Sequence, residues 1–352
     1  MGVAGEMLRV GVATPLSEDL CALIESLEPR VHLIRDQSLL PPMRFTADYA
    51  GDPDFSRTTH RQSQFMKLLN SADALYGIPD LSTPLLKEVV QQNGGLRWVQ
   101  TMAAGGGAQI REAGFTRQEL DRVTFTTSAG VHGGPLAEFA LFGLLAANKS
   151  LPRLLRQRQA REWSERWPMA QLSDQTILLL GLGGIGSALA EKLSALGAHV
   201  LGMSRRGERV PGVAEIIAPR DLPAAIQRAD GIVVSLPGTP HTEKLVDTEF
   251  LTMVKPGVTL VNVGRGSVID EQALIIALSD GRVGFAALDV VETEPLVASS
   301  PLWEMDNVLL SPHTAALTYA QEEQIARLFA RNASAFLDGR PLRNIVDTVH
   351  FY

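Results

Sequence analysis

Three ionisable residues in the second half of the chain each follow an apolar run, and each is of a different kind. Arg265 follows "TLVNV" (259–263), Glu294 follows "FAALDV" (285–290), and His313 follows "NVLLS" (307–311). A cation, a carboxylate and an imidazole leaving neighbouring strand ends suit one chemistry, the interconversion of an oxo acid and a hydroxy acid. Hydride transfer to a ketone leaves a developing alkoxide that needs a proton. His313 can supply that proton as imidazolium and remove it in the reverse direction. Glu294 beside it would orient the ring and favour its charged form. Arg265 would hold a 2-oxo acid through its carboxylate and carbonyl oxygens and polarise the carbonyl. Of the seven histidines, His32, His60, His199, His241 and His350 have no comparable setting. His132, in a glycine-rich stretch, is the one competitor.

Hydride chemistry needs a hydride carrier, and "TILLLGLGGIGSALAEKLSALGAHVLGMSRR" offers a place for one. Gly181, Gly183 and Gly186 are spaced G-x-G-x-x-G between an apolar run and a helical pattern. The first glycine permits a tight turn, the second lets the backbone approach a pyrophosphate, and the third lets helix and strand pack closely. The helix N-terminus, at Gly184 and Ile185, then offers N–H groups and a positive dipole end to phosphates. In such units an acidic residue about 20 positions on meets the adenosine ribose. Here the position 18 past Gly186 is Ser204, followed by Arg205 and Arg206. Serine removes the repulsion a carboxylate would exert on a 2′-phosphate, and a guanidinium can bind that phosphate. The expected cofactor is NADP(H), with NAD(H) as the alternative.

These residues need a scaffold that brings strand ends to one edge. Strand-like runs alternate with helical patterns along the whole chain, which predicts parallel sheets with crossover helices. The first series is 8–13, 31–35, 74–78, 97–102 and 123–128. The second is 176–181, 199–203, 214–217, 231–236, 259–263, 285–290 and 307–311. Between them a helical stretch over about 133–162 is expected to break or kink at Pro152. Segment 39–60, rich in Pro, Asp and Thr, reads as a solvent-exposed loop or a lid. A last helix covers about 317–338 and returns to the first series, because the second sheet is already complete. This predicts an α/β chain of two doubly wound parallel-sheet domains, one over 1–125 plus 316–352 and one over 126–315.

Composition narrows the partners. The 352 residues carry a net charge of −7 from mixed signs, with no basic face to suggest nucleic acid. Cys21 is the only cysteine, so no intrachain disulfide, thiolate metal cluster or CxxC pair can form. No metal site is expected. The most apolar helical run, 136–147, is too short for a bilayer and carries Glu138. A cytoplasmic protein is the expectation.

The stretches "GLGGIG", "LVNVGRGSVIDEQALIIAL", "AALDVVETEPL" and "PLWEMDNVLLSPHTAA" resemble the D-isomer-specific 2-hydroxyacid dehydrogenases. The resemblance covers about 125–320, and more weakly the loop "WVQTMAAGGG" (98–107). It implies a Rossmann cofactor domain inserted in a flavodoxin-like substrate domain made from both chain ends, and a homodimer formed through the cofactor domain. It implies that Arg265, Glu294 and His313 hold the roles given above, and that Asp289 bonds the nicotinamide carboxamide. Ser235, Leu236, Pro237 and Thr242 would line the cofactor cleft, with Val263, Gly264 and Ala315 also on the cofactor. In the first domain Ala104, Gly105 and Gly106 would offer backbone N–H groups to the substrate carboxylate, although Gly106 and Gly107 replace the family's usual valine and aspartate. The helix over 130–152 resembles the one that packs on the second subunit, with Glu138 structural. The implied reaction is NAD(P)H-dependent reduction of a small 2-oxo acid such as glyoxylate or hydroxypyruvate. A D-3-phosphoglycerate dehydrogenase is the second reading, with Arg97 or Arg111 on a substrate phosphate. A non-enzymatic dinucleotide-sensing corepressor is the third.

Overall fold

A computed structural model describes residues 7–204, 207–349 and 351. The chain divides into two compact units, Met1–Val131 with Leu317–Tyr352, and His132–Ala316.

The first unit is built on a five-stranded parallel sheet. Its strands are β1 (Leu8–Val12), β2 (Val31–Ile34), β3 (Ala74–Tyr76), β4 (Trp98–Gln100) and β5 (Thr124–Thr126), in the order β2-β1-β3-β4-β5. This is the doubly wound order of the flavodoxin type. Helices cover both faces, so the strands bury nearly every side chain and read as apolar runs rather than alternating ones. The helix Gln321–Leu337 returns from the far end of the chain and completes this core. Its Phe329 stacks on Trp98 at 4.6 Å and meets the edge of Tyr76 at 5.1 Å. Trp98 settles its indole N–H on Thr126 Oγ1 at 2.9 Å, which lets so large a side chain be fully buried.

Segment 39–60 is only in part the solvent-exposed loop its composition suggests: Phe45 and much of 53–60 are exposed. Leu39, Leu40, Ala47, Asp48 and Tyr49 are buried in the first unit. Two arginines within it, Arg44 and Arg57, pin it, and Arg61 just past it ties to Ser38 just before it. Arg44 grips the buried Asp48 with two bonds, Arg57 forks onto Asp80, and Arg61 reaches the carbonyl of Ser38. Charge-assisted bonds of this kind replace the regular ladder the segment lacks.

The second unit holds a seven-stranded parallel sheet. Its strands are β6 (Thr176–Leu180), β7 (His199–Met203), β8 (Glu215–Ile217), β9 (Gly231–Val234), β10 (Val258–Asn262), β11 (Val283–Leu288) and β12 (Val308–Leu310), ordered β12-β11-β10-β9-β6-β7-β8. From β8 to β11 this is the Rossmann order, with β12 added at the edge. The order reverses at β6, between β7 and β9, and a crevice at the carboxyl ends there is the expected ligand site of such a sheet.

The long helical stretch is two helices, Gly133–Asn148 and Leu151–Ala160. Pro152 sits in the first turn of the second, and Ser150 before it takes a left-handed φ of 53°. A proline ring clashes with the carbonyl four residues back, so the first helix ends at Asn148 while the second tolerates Pro152. The first of these helices packs on Gly184–Ala195, where Glu138 lies 3.5 Å from Lys192. Among the described residues, no helix is long and apolar enough to cross a membrane.

Candidate active site

The glycine turn opens directly from β6. Gly181 has φ +106°, a conformation open to glycine. A Cβ on Gly186 would lie 2.0 Å from the Gly181 carbonyl oxygen, so helix and strand could not close with any side chain there. Gly183 faces open space and caps the helix Gly184–Ala195 without a side-chain bond. The first intrahelical bond is Ser187 N–H to Gly183 O. The N–H groups of Gly184, Ile185 and Gly186 precede it and stand at the positive end of the helix dipole. A cradle of this kind, exposed and free of side chains at Gly183 and Gly184, fits a pyrophosphate. Ser235, just past β9, donates its hydroxyl to Gly181 O at 3.1 Å and braces the turn from the adjacent strand.

The strand ends next to it carry the ionisable residues. His313 Nδ1 lies 2.7 Å from Glu294 Oε2. Glu294 Oε1 also accepts the Val291 N–H at 3.4 Å, which fixes the carboxylate to its own loop. With Nδ1 engaged, Nε2 is the nitrogen that can exchange a proton with a substrate. His313 itself holds a left-handed φ of 54°. That strained backbone is secured by Asp289, which is buried at the end of β11. Its Oδ1 accepts Ser311 Oγ at 2.7 Å and the N–H groups of Thr314 and Ala315 at 3.0 Å each, and its main-chain oxygen accepts the His313 N–H at 2.9 Å.

Arg265 is exposed just past β10, where Nη1 donates to Gly264 O at 2.7 Å. Asn262 organises this turn. Its Nδ2 donates to Arg265 O at 3.1 Å and its Oδ1 accepts the Gly264 N–H at 3.0 Å. Asn262 and Ser311 were not singled out in the sequence. The signal for Asn262 was a polar residue inside an apolar strand, "TLVNV", buried to 1% exposure. His132 belongs to this unit too, but burial, and then the nearby Arg265 charge, push its imidazole below the ordinary value. A ring held neutral this way is a poorer proton donor than one paired with a carboxylate.

The remaining expected residues are spread along the same sheet edge. Val263 N–H bonds Val234 O, Leu236 O approaches Gly264, and Thr242 Oγ1 donates to Pro237 O at 2.6 Å and closes that loop. Ser204 follows β7 with its N–H on Ile217 O. Arg205 and Arg206 lie outside the described residues. Ala104, Gly105 and Gly106 belong to the first unit, in the turn that leads into the helix Gly107–Ala113. A Cβ on Gly106 would lie 1.9 Å from Thr101 Oγ1, so the family's usual valine has no room on this backbone. Among the described residues, no group of three or more His, Cys, Asp or Glu side chains is placed to hold a metal ion.

Comparison with known proteins bears on this arrangement. The family model described as "D-isomer specific 2-hydroxyacid dehydrogenase, NAD binding domain" matches residues 141–315. A glyoxylate reductase of Aeropyrum pernix is 32% identical over 292 residues, covering 78% of this chain and 83% of that protein. A D-3-phosphoglycerate dehydrogenase of Mycobacterium tuberculosis is 36% identical over 208 residues, 58% of this chain but 38% of that one. A D-isomer specific 2-hydroxyacid dehydrogenase of Xanthobacter autotrophicus, solved in complex with NADPH and MES, gives a TM-score of 0.78 at 27% identity, covering 98% of this chain and 100% of that one. A family match that spans the glycine turn and all three strand ends, with likeness along nearly the full chain, makes this protein a member of the D-isomer specific 2-hydroxyacid dehydrogenase family, whose enzymes are NAD(P)-dependent.

Proposed function

We propose that the protein reduces a small 2-oxo acid, of the glyoxylate or hydroxypyruvate type, to the D-2-hydroxy acid, with NADPH preferred over NADH. The observation that carries this reading is the 2.7 Å contact between His313 Nδ1 and Glu294, on the same sheet edge as the glycine turn. When bound, the dinucleotide supplies the hydride. Gly181, Gly183 and Gly186 hold its pyrophosphate, with the N–H groups of Gly184 and Ile185 at the helix start. Ser235, Leu236, Pro237, Thr242, Val263, Gly264 and Ala315 border the rest of it, and Ser204, Arg205 and Arg206 meet the 2′-phosphate. Arg265 binds the substrate carboxylate and draws electron density from the carbonyl oxygen. His313 passes a proton from Nε2 to that oxygen as hydride arrives, and the imidazolium is supported by Glu294 through Nδ1. Asp289 keeps Oδ2 for the carboxamide while Oδ1 holds the His313 loop. In the first unit, Ala104, Gly105 and Gly106 offer backbone N–H groups to the carboxylate.

The phosphoglycerate reading keeps Arg111, exposed in the helix after β4, but loses its other candidate, Arg97, on a specific ground. Arg97 precedes β4, at the amino edge of its sheet, and lies over the Phe336 ring at 5.1 Å. Ligands of such sheets bind at the carboxyl edge, so this guanidinium is not on hand for a substrate phosphate. A homodimer is part of the same proposal, supported by exposed Phe142, Leu154, Leu155 and Trp163 on the second unit. So is a cytoplasmic setting, in keeping with a single, buried, unpaired Cys21.

The test is the initial rate of NADPH and of NADH oxidation with glyoxylate, hydroxypyruvate, pyruvate and 3-phosphohydroxypyruvate. The proposal expects the fastest turnover with NADPH and a small unphosphorylated oxo acid. Preference for the phosphorylated acid would favour the second reading, and binding without turnover the sensor.

A further inference from the structure

The two glycines flanking Arg265 lie against the backbones of its neighbouring loops. A Cβ on Gly264 would sit 2.6 Å from Leu236 O, in the loop after β9. A Cβ on Gly266 would sit 1.7 Å from Val291 O and 2.7 Å from Glu292 N, in the loop after β11. Neither glycine takes a positive φ, so what these positions demand is space and not conformational freedom. The segment that carries Arg265 is thereby slotted between the loop on the cofactor side and the loop that carries Glu294.

A second set of contacts ties the same segments. Lys244 gives its N–H to Ser267 O at 2.8 Å. Its ammonium lies 3.4 Å from Asp270 and 3.2 Å from Glu292. It therefore bridges the Arg265 segment to the Glu294 loop. Val291, the residue that Gly266 accommodates, donates its N–H to Glu294 Oε1. Displacing Val291 would move the carboxylate that holds His313. Contact thus runs unbroken from Gly266 through Val291 and Glu294 to His313.

We propose that Gly266 and Lys244 are positioning residues: they fix the spacing between Arg265, which holds the substrate, and the Glu294–His313 couple, which moves the proton. The inference rests on the reductase reading given above. It explains why the arginine sits between two glycines. The close backbone approach lets two side chains from different loops act on one small molecule. A misplacement of about 1 Å in such a constellation costs about 100-fold in rate.

The experiment uses the full chain with NADPH and glyoxylate, and compares wild type with Gly266→Ala, Lys244→Met and Lys244→Arg. For Gly266→Ala, kcat/KM should fall about 100-fold, with KM raised and kcat lowered together. NADPH affinity should stay at the wild-type value, because the glycine turn is untouched, while the melting temperature falls, because the added Cβ forces the Val291 backbone to shift. Lys244→Met should lose about two- to fivefold, as expected for a partly exposed ion pair, and Lys244→Arg should restore it. Wild-type kinetics in Gly266→Ala would overturn the inference, as would loss of NADPH binding in step with turnover. If Gly266→Ala does not fold, the lysine pair decides: loss in Met with recovery in Arg supports the inference, and equal rates in all three proteins overturn it. A wild-type protein without turnover is the separate failure of the reductase reading, seen before any variant is made.

Discussion

Replacing Glu294 by Gln isolates the charge that supports His313. Glutamine keeps an oxygen that can accept the Val291 N–H, so the loop stays in place. It loses the negative charge that faces Nδ1 at 2.7 Å. A hydrogen bond to a charged group is worth about 1.5–3 kcal/mol net. Both side chains are well exposed, 49% for His313 and 38% for Glu294, so water screens part of this. The discounted contribution is about 1–2 kcal/mol. At about 1.36 kcal/mol per factor of ten, Glu294→Gln should lower kcat about 5- to 30-fold. The assay is steady-state NADPH oxidation with the best oxo acid, with dinucleotide affinity followed by fluorescence as a control. Affinity should not change. An unchanged kcat would mean the contact has no part in proton transfer. A loss as deep as that of His313→Ala would mean that Glu294 does more than support the ring.

Other outcomes follow from the same geometry. His313→Ala should lower kcat by about 10²- to 10⁴-fold while NADPH still binds, as measured by titration; near-normal turnover would take His313 out of its role. Arg205→Ala should weaken NADPH far more than NADH, and equal losses would mean that the arginine reads no phosphate. Phe329→Ala should destabilise the protein by about 3–5 kcal/mol in denaturant melts, because the ring lies between Trp98 and Tyr76 and its loss leaves a cavity. Asp48 gives a pH signature. Its hydrogen bonds from the Arg44 side chain outweigh burial and hold the carboxyl below its ordinary value. A depressed carboxylate stabilises the fold above its unfolded-state pKa, and that stabilisation is lost as pH falls through the lower folded value. The wild-type melting temperature should therefore drop more steeply below about pH 4 than that of Asp48→Asn, and parallel curves would contradict the assignment.

The fold was legible because both sheets are covered on two faces. A strand such as β9, GIVV and buried along its whole length, leaves an uninterrupted apolar run that cannot be mistaken for a surface element. The glycine turn and the three strand ends were legible for the same reason, since a parallel sheet sends every strand terminus to one edge. Boundaries were less so. The break near Pro152 falls two to three residues upstream of it, because the clash is with a carbonyl on the preceding turn. Segment 39–60 misled because its polar residues look solvated. Some of them are instead bound to one another, as Arg44 is to Asp48, in pairs that composition does not reveal. Asn262 and Ser311 went unnoticed for a related reason. Each braces the loop of a proposed catalytic residue through one or two hydrogen bonds whose pairing the sequence does not mark.

The most direct test of the central claim is the configuration of the product. Hydroxypyruvate and NADPH are incubated with the protein, and the glycerate formed is resolved on a chiral column. The account predicts D-glycerate in amounts equal to the NADPH consumed, formed about 10²- to 10⁴-fold more slowly with His313→Ala. L-glycerate, or NADPH consumption without any hydroxy acid, would contradict it.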